Sequence, residues 1–371
     1  MNAKKMYTPF QIGGISIKNR LAASAMFEYG AEDGKITERI KKRYRQLAEG
    51  GFGLIITGMH AVSREGRVAP IMVETTYSDY ENDLRSIVDT AHANGSKIVV
   101  QLQHAGYGTF PQDGYDHFGV CDKEMGDGVF YHAMTREEMA SVAQGFAAAA
   151  ARCRTAGADG VQIHAAHGFL LNTFLSPSTN HRMDEYGGSI ENRARLLFEV
   201  YEAIRVAVGK EFIVSVKFPF SDLIEQSITE KESLYVCHEL ARKGVDMIEV
   251  SSGMVMDGSA HSFTPFMKKG TREGIFLESA AKLAELVPIP VISVCGYRTP
   301  AFIEDTLHST KITAVSFGRP TVREPNLPKR WLEDDAPAAC VSCNRCCASF
   351  NDGIITCQVL KDKMKNHNIE H

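Results

Sequence analysis

The chain has 371 residues, 44% hydrophobic and 23% charged, with a net charge of −4. That composition belongs to a globular protein with a sizeable core; it excludes long disorder and gives no ground for a nucleic-acid or membrane-surface partner. Nine cysteines are present, and five of them (Cys340, Cys343, Cys346, Cys347 and Cys357) lie within 18 residues, so length and the cysteine-poor remainder exclude a secreted disulfide scaffold.

The first 20 residues lack the apolar stretch of a signal peptide. No uncharged run approaches the roughly 18–20 residues of a membrane span. A cytoplasmic location is expected. Short apolar, β-branched runs then recur at residues 21–25, 53–58, 97–103, 160–164, 212–217, 247–251, 290–294 and 314–318. Helix-like segments separate them, such as 135–156 and 189–208. Thr135 opens a Thr-Arg-Glu-Glu pattern suited to a helix start, and Gly157 is a stop signal. Eight strands alternating with helices predict a (β/α)8 TIM barrel. An open doubly wound sheet competes, but no strand leads into a Gly-x-Gly-x-x-Gly turn. The barrel is expected to fill residues 1–330. Residues 331–339 read as a polar linker, and 331–371 as a short cysteine-rich, metal-binding extension.

Catalytic groups of such barrels project from the C-terminal ends of strands. Strand three ends in Gln101, Gln103 and His104, strand four in His164 with His167 close behind, and strand five in Lys217. Strand six ends in Ser251-Ser252-Gly253. Strands seven and eight run into Gly296 with Arg298, and Gly318 with Arg319. Glycine-bearing loops at those two places with adjacent cations form a barrel phosphate site; the competing reading is turn glycines and solvated arginines. His164 and His167 flank two alanines. As neutral donors they could hold a carbonyl or carboxylate oxygen; core packing and a metal pair are the alternatives. Lys217 ends an apolar strand, which calls for an anionic cofactor or substrate, unless it snorkels to the rim.

The stretch HAAHGFLLNTFLSPSTNHRMDEYGGSIENRARLL, the entry Pro9-Phe10…Lys18-Asn19-Arg20, the strand end QLQHAG and the end FGRP closely resemble the Old Yellow Enzyme family of flavin oxidoreductases, from about residue 7 to 330. The resemblance implies an FMN-binding barrel. It further implies hydride transfer from NAD(P)H through the flavin to an alkene conjugated with a carbonyl or carboxyl group. Position by position, it assigns Ala25 and Met26 to the backbone beside the flavin ring, Gln101 to its pyrimidine edge and Lys217 to flavin N1 and O2. Gly296, Gly318 and Arg319 fall on the FMN phosphate contacts. His164 and His167 fall on the pair that binds the substrate carbonyl oxygen, and Tyr29 on a tyrosine bordering the substrate. Two positions depart from the pattern. Phe169 stands where many members carry a proton-donating tyrosine, which leaves Tyr29, Tyr107, Tyr131 or water as the proton source. Phe27 stands where members often carry a polar residue or cysteine.

The tail reads C-x2-C-N-x-C-x10-C through Cys340, Cys343, Cys346 and Cys357. It resembles the [4Fe-4S] ligands of the long family members, trimethylamine dehydrogenase and 2,4-dienoyl coenzyme A reductase. Cys347 could replace Cys346, and structural zinc or free thiols are the bland alternatives. The long members continue into a nucleotide-binding domain, whereas this sequence stops at His371, so an external electron-transfer protein or a structural cluster is expected. The other expected partners are an activated alkene and a second copy of the chain. Met254, Met256, Phe263, Phe266 and Met267 in one loop point to a large apolar substrate or to a packed lid. Two other classes stay open: an amine dehydrogenase or demethylase feeding the cluster, and an electron-transfer subunit without its own substrate.

Overall fold

The structure is a computed structural model that describes residues 4–109, 117–125, 128–254 and 272–369. Eight parallel strands close into a barrel: β1 (Leu21–Ala23), β2 (Leu54–Ala61), β3 (Lys97–Gln103), β4 (Gly160–His164), β5 (Ile213–Pro219), β6 (Met247–Ser251), β7 (Val291–Val294) and β8 (Ala314–Phe317). Closure is made by β1, which pairs with β8 at Leu21↔Val315 and with β2 at Ala22↔Leu54. Every expected strand is present. The helices between them are α1 (Glu38–Glu49), α2 (Tyr80–Ala93), α3 (Arg136–Thr155), α4 (Arg195–Val208), α5 (Glu230–Lys243), α6 (Leu277–Leu286) and α7 (Pro300–Ser309), with α8 (Leu327–Glu333) after β8. This is the (β/α)8 barrel that the alternating pattern predicts.

Local signals agree with the result. Thr135 accepts from the Glu138 N–H at 3.1 Å while the Glu138 carboxylate accepts from the Thr135 N–H at 2.7 Å, so α3 opens on a complete capping box. Gly157 follows at φ +91°, a conformation only glycine adopts without strain. The single helix expected at 189–208 is instead two, Ile190–Arg193 and α4, with Ala194 buried at the break.

Side chains alternate across each strand. On β5, Val214 and Val216 face the helices, while Ile213 belongs to a separate cluster inside the barrel with Ala22, Leu54, Ile56, Val99, Met247, Ile292 and Ala314. A hairpin, Phe10–Ile12 with Ile15–Ile17, inserts Phe10, Ile12 and Ile17 into that cluster and closes the barrel from below. One layer higher the interior turns polar, with Gln101, Gln162, Ser215, Lys217, Glu249 and Ser316 all buried. The barrel therefore has an apolar floor and a polar upper layer, which is where its chemistry must sit.

The polar linker expected at 331–339 is different. Trp331 is 1% exposed and packs on Phe317 with ring centroids 5.6 Å apart, so the chain leaves the barrel only after α8. Burying its indole takes a large apolar surface out of water. Beyond it come a one-turn helix at Arg345–Ala348 and α9 (Gln358–Ile369). No described helix is long and apolar enough to cross a membrane.

Candidate functional site

At the C-terminal ends of the strands lies an open cavity enclosing about 1170 Å³, part of it open to solvent. It brings together Ala25, Met26, Tyr29, Gln101, His164, His167, Lys217, Gly296, Gly318 and Arg319, which are all of the catalytic and flavin positions expected from the sequence. Five lining residues other than glycine hold positive φ: Tyr29 (57°), His167 (66°), Cys295 (93°), Ser342 (55°) and Asn344 (62°). Such backbone strain persists where the surroundings enforce it, and functional sites are where it collects.

The histidine loop is shaped by the motif that follows it. Asn172 accepts from the Gly168 N–H at 2.7 Å and donates to Asp222 at 3.0 Å, while Ser176 donates to the other Asp222 oxygen at 2.6 Å. This clamp fixes the turn that carries His167. The Ala166 N–H donates to His164 Nδ1 at 3.3 Å, so the ring proton of neutral His164 belongs on Nε2. His167 Nε2 meets Ser251 Oγ at 2.8 Å, and the two imidazoles stand edge to face 5.0 Å apart. Burial, the neighbouring His167 and the Lys217 cation hold His164 well below the usual histidine range. Burial, with Lys217 added, brings His167 down to about 3. Both rings are neutral at physiological pH.

Lys217 is not the lone buried cation expected from the sequence. Its Nζ donates to Glu249 at 2.9 Å and to Ser24 at 3.0 Å. Burial pushes the Glu249 carboxyl up, but the Lys217 cation and the bonds from Ser316, Lys217 and Ser24 outweigh it and hold it below its ordinary value. Glu249 was legible in principle. In Met-Ile-Glu-Val-Ser the period of two puts it on the same face as Ser251, yet one acid in an apolar strand is a weak signal. With three donors on an ammonium and two used, Lys217 keeps one for a ligand.

Tyr29 lines the cavity, but its hydroxyl donates to the Cys347 carbonyl at 3.0 Å, and its ring lies between Phe27 and Phe350. Tyr107 donates to the Cys121 carbonyl and Tyr131 to the Thr109 carbonyl, both outside the lining of this cavity. The structure thus commits the hydroxyls of all three tyrosines to backbone oxygens. Phe169 packs edge to face on His164 at 5.0 Å. Of the loop residues expected to meet the substrate, Met254 is buried, whereas Met256, Phe263, Phe266 and Met267 lie outside the described residues.

At the other end, Gly296 takes φ +91°, and a Cβ on Gly318 would stand 2.8 Å from the Met26 sulfur. Arg298 and Arg319 stand beside these glycines. Two glycines, two guanidinium groups, a cation deeper in the wall and an amide beyond it form a cradle with room for a flat heterocycle ending in a phosphate.

The extension supplies the outer wall, a part of the site that the sequence did not reveal. Ser342, Asn344, Cys347 and Ile355 line the cavity. Arg298 donates to Ser342 at 3.3 Å, Arg319 donates to the Asn344 side chain, and the Ile355 N–H donates to the Glu28 carbonyl at 2.6 Å. Cys340, Cys343, Cys346 and Cys357 turn the other way, into a smaller cavity of about 340 Å³ that also holds Arg319 and Arg323. Cys347 faces the large cavity instead. Among the described residues no three Cys, His, Asp or Glu side chains stand close enough to hold a metal ion as they are.

A barrel with this cavity defines a class of cofactor-binding barrel enzymes. Residues 5–336 match the NADH:flavin oxidoreductase / NADH oxidase family, and the chain belongs to it, as its resemblance to the Old Yellow Enzymes implies. It is 31% identical over 348 residues to a metal reductase of Desulforamulus reducens, covering 92% of this chain and 51% of that protein. The chain thus spans about half the length of that relative. It is also 31% identical over 331 residues to an NADPH dehydrogenase of Bacillus velezensis, covering 88% of this chain and 94% of the other. Among solved structures, 2-naphthoyl-CoA reductase in complex with 2-naphthoyl-CoA superposes with a TM-score of 0.87 at 24% identity, covering 96% of this chain and 57% of that one. That likeness in fold continues past the barrel into the extension.

Proposed function

We propose that this chain is an FMN-dependent ene-reductase acting on an α,β-unsaturated carbonyl or carboxyl compound. The observation that carries the reading is the pair of neutral histidines on the wall that also bears Lys217 and Gln101. Gly296, Gly318, Arg298 and Arg319 would hold the FMN phosphate, Lys217 the N1–O2 edge and Gln101 the pyrimidine edge. Bound FMN would supply hydride transfer from a nicotinamide donor to the β-carbon of the alkene. The rest is done by the chain. His164 donates from Nε2 to the substrate oxygen, and His167, steadied by Ser251, completes the site. Drawing electron density toward that oxygen leaves the β-carbon short of electrons. Because the rings are neutral they polarise the oxygen without surrendering a proton to it. With Tyr29 bonded to backbone and Phe169 without a proton, water is the proton source for the α-carbon. The apolar side chains of Met26, Phe27, Met59 and Ile355 favour a flat apolar body on the substrate.

Cys340, Cys343, Cys346 and Cys357 would hold a [4Fe-4S] cluster once drawn together from the positions they take here. Four thiols face one cavity, Arg323 lies 3.7 Å from the Cys357 sulfur, and Arg319 is nearby to balance thiolate charge. A cluster there would pass single electrons to or from a partner protein. Zinc is the alternative occupant.

Anaerobically purified protein should show a flavin spectrum, bleach with NADH or NADPH and recover on adding enones, enoates or enoyl thioesters. Failure of every activated alkene to reoxidise it overturns the reading. Bleaching by amines would favour a dehydrogenase of the amine class. Iron and zinc analysis of the same sample tests the tail.

A further inference from the structure

Glu249 lies behind the cavity wall, fully buried, and accepts four hydrogen bonds. Ser24 and Ser316 donate to Oε1 at 2.8 and 2.6 Å, and Gln162 and Lys217 donate to Oε2 at 3.1 and 2.9 Å. Gln162 in turn accepts from Gln101 Nε2 at 2.7 Å. Three of these partners, Ser24, Lys217 and Ser316, line the cavity, and so does Gln101. One carboxylate therefore gathers the polar wall.

The polarity of this chain of amides is forced. An ionised carboxylate only accepts, so Gln162 must turn its NH₂ toward Glu249. Its carbonyl then faces Gln101 and must be met by the Gln101 NH₂. The Gln101 carbonyl is left for the cavity, where it can accept from a ring N–H. A neutral group at position 249 would remove that constraint, because an amide can either donate or accept. The same carboxylate offsets Lys217. A lone ammonium would stabilise any negative charge that forms beside it, and a carboxylate 2.9 Å behind it weakens that field.

We infer that Glu249 is the positioning residue of the flavin pocket: it sets which face of Gln101 meets the flavin and tempers the charge that Lys217 presents to it. This rests on the FMN reading above. Its consequence is that reduced flavin, which builds negative charge next to Lys217, is held less tightly relative to oxidised flavin than the lysine alone would hold it.

The test uses FMN-loaded protein, with FMN affinity and flavin midpoint potential as readouts. Glu249→Gln should move the potential positive, by at least a tenfold gain in relative affinity for the reduced form, about 30 mV for a two-electron couple. Glu249→Asp keeps the charge and should stay near the wild-type potential. Gln162→Leu cuts the relay to Gln101 and one neutral bond to Glu249, and leaves the charges of Glu249 and Lys217 in place. It should weaken FMN binding about tenfold and leave the potential in place. An E249Q potential that is unchanged or more negative overturns the inference. If E249Q does not fold, Gln162→Leu decides: unaltered FMN affinity in that variant overturns it. Wild-type protein that binds no FMN would sink the flavin reading instead, so the two failures are distinguishable.

Discussion

The inner and outer walls of the cavity are built by opposite means. The inner wall comes from strand ends: Ser24, Gln101, His164, Lys217 and Ser316 each lie on or next to a buried strand, and all but His164 are tied together through Glu249 and Gln162 by buried hydrogen bonds. The outer wall comes from a segment without strands. Ser342 and Asn344 both take positive φ, and the clasps described are bonds from Arg298 and Arg319 and backbone contacts to Tyr29 and Glu28. When the sheet forms, the inner wall is already in place. The outer wall depends on a handful of polar contacts and on whatever the four thiols bind.

The sharpest way to break that comparison is to remove one thiol. Cys357→Ala should abolish tightly bound iron, while Cys347→Ala should keep it, read by iron analysis and visible absorbance. FMN should stay bound in both, because its cradle belongs to the barrel. Loss of FMN together with iron would show that the two walls are not separable. A smaller effect is expected inside the barrel. His164→Ala combined with His167→Ala should slow reoxidation by an enone about 10²–10³-fold and abolish phenol binding with FMN retained. Loss of FMN instead would make the histidines structural.

The smallest effect sharpens the same point. His167 is lowered to about 3, so between pH 5 and 8 its ring does not titrate, and phenol affinity should change by less than about twofold. An affinity that follows an ordinary histidine near 6.5 would mean that the inner wall is wetter than its packing implies. His60, His104 and His167 sit at about 3, 4 and 3 when folded, chiefly through burial, and near 6.5 when unfolded. The unfolded chain therefore takes up protons first. Their contribution is fully present above about 6.5 and is lost as pH falls toward 3 to 4, which urea melts at stepped pH would record.

The same division explains what could be read from the sequence. Strands such as Lys97–Gln103 and Ile213–Pro219 announce themselves because buried β-branched runs have few other uses, and their final polar residues mark the inner wall. The hairpin at residues 10–17 was missed, although Gly13-Gly14 between alternating apolar residues is a turn signal. Glu249 was missed because burial of an acid is decided by partners on four other strands, which no local pattern reports. The outer wall was illegible for a stronger reason. Asn344 meets Arg319 across 25 positions, and Ile355 meets Glu28 across more than 300, through contacts that leave no periodicity. In the long motif after His167, which carries the family resemblance, Asn172 and Ser176 are scaffold: they hold the turn together with Asp222, which lies outside the motif.

The hairpin under the barrel has a consequence at the opposite end. With Phe10, Ile12 and Ile17 stoppering the base, the cavity lies at the opposite end, with the extension as its outer wall. Two reactants that need the same chamber cannot arrive from opposite sides. That one-sidedness is set by a stopper far from the polar layer.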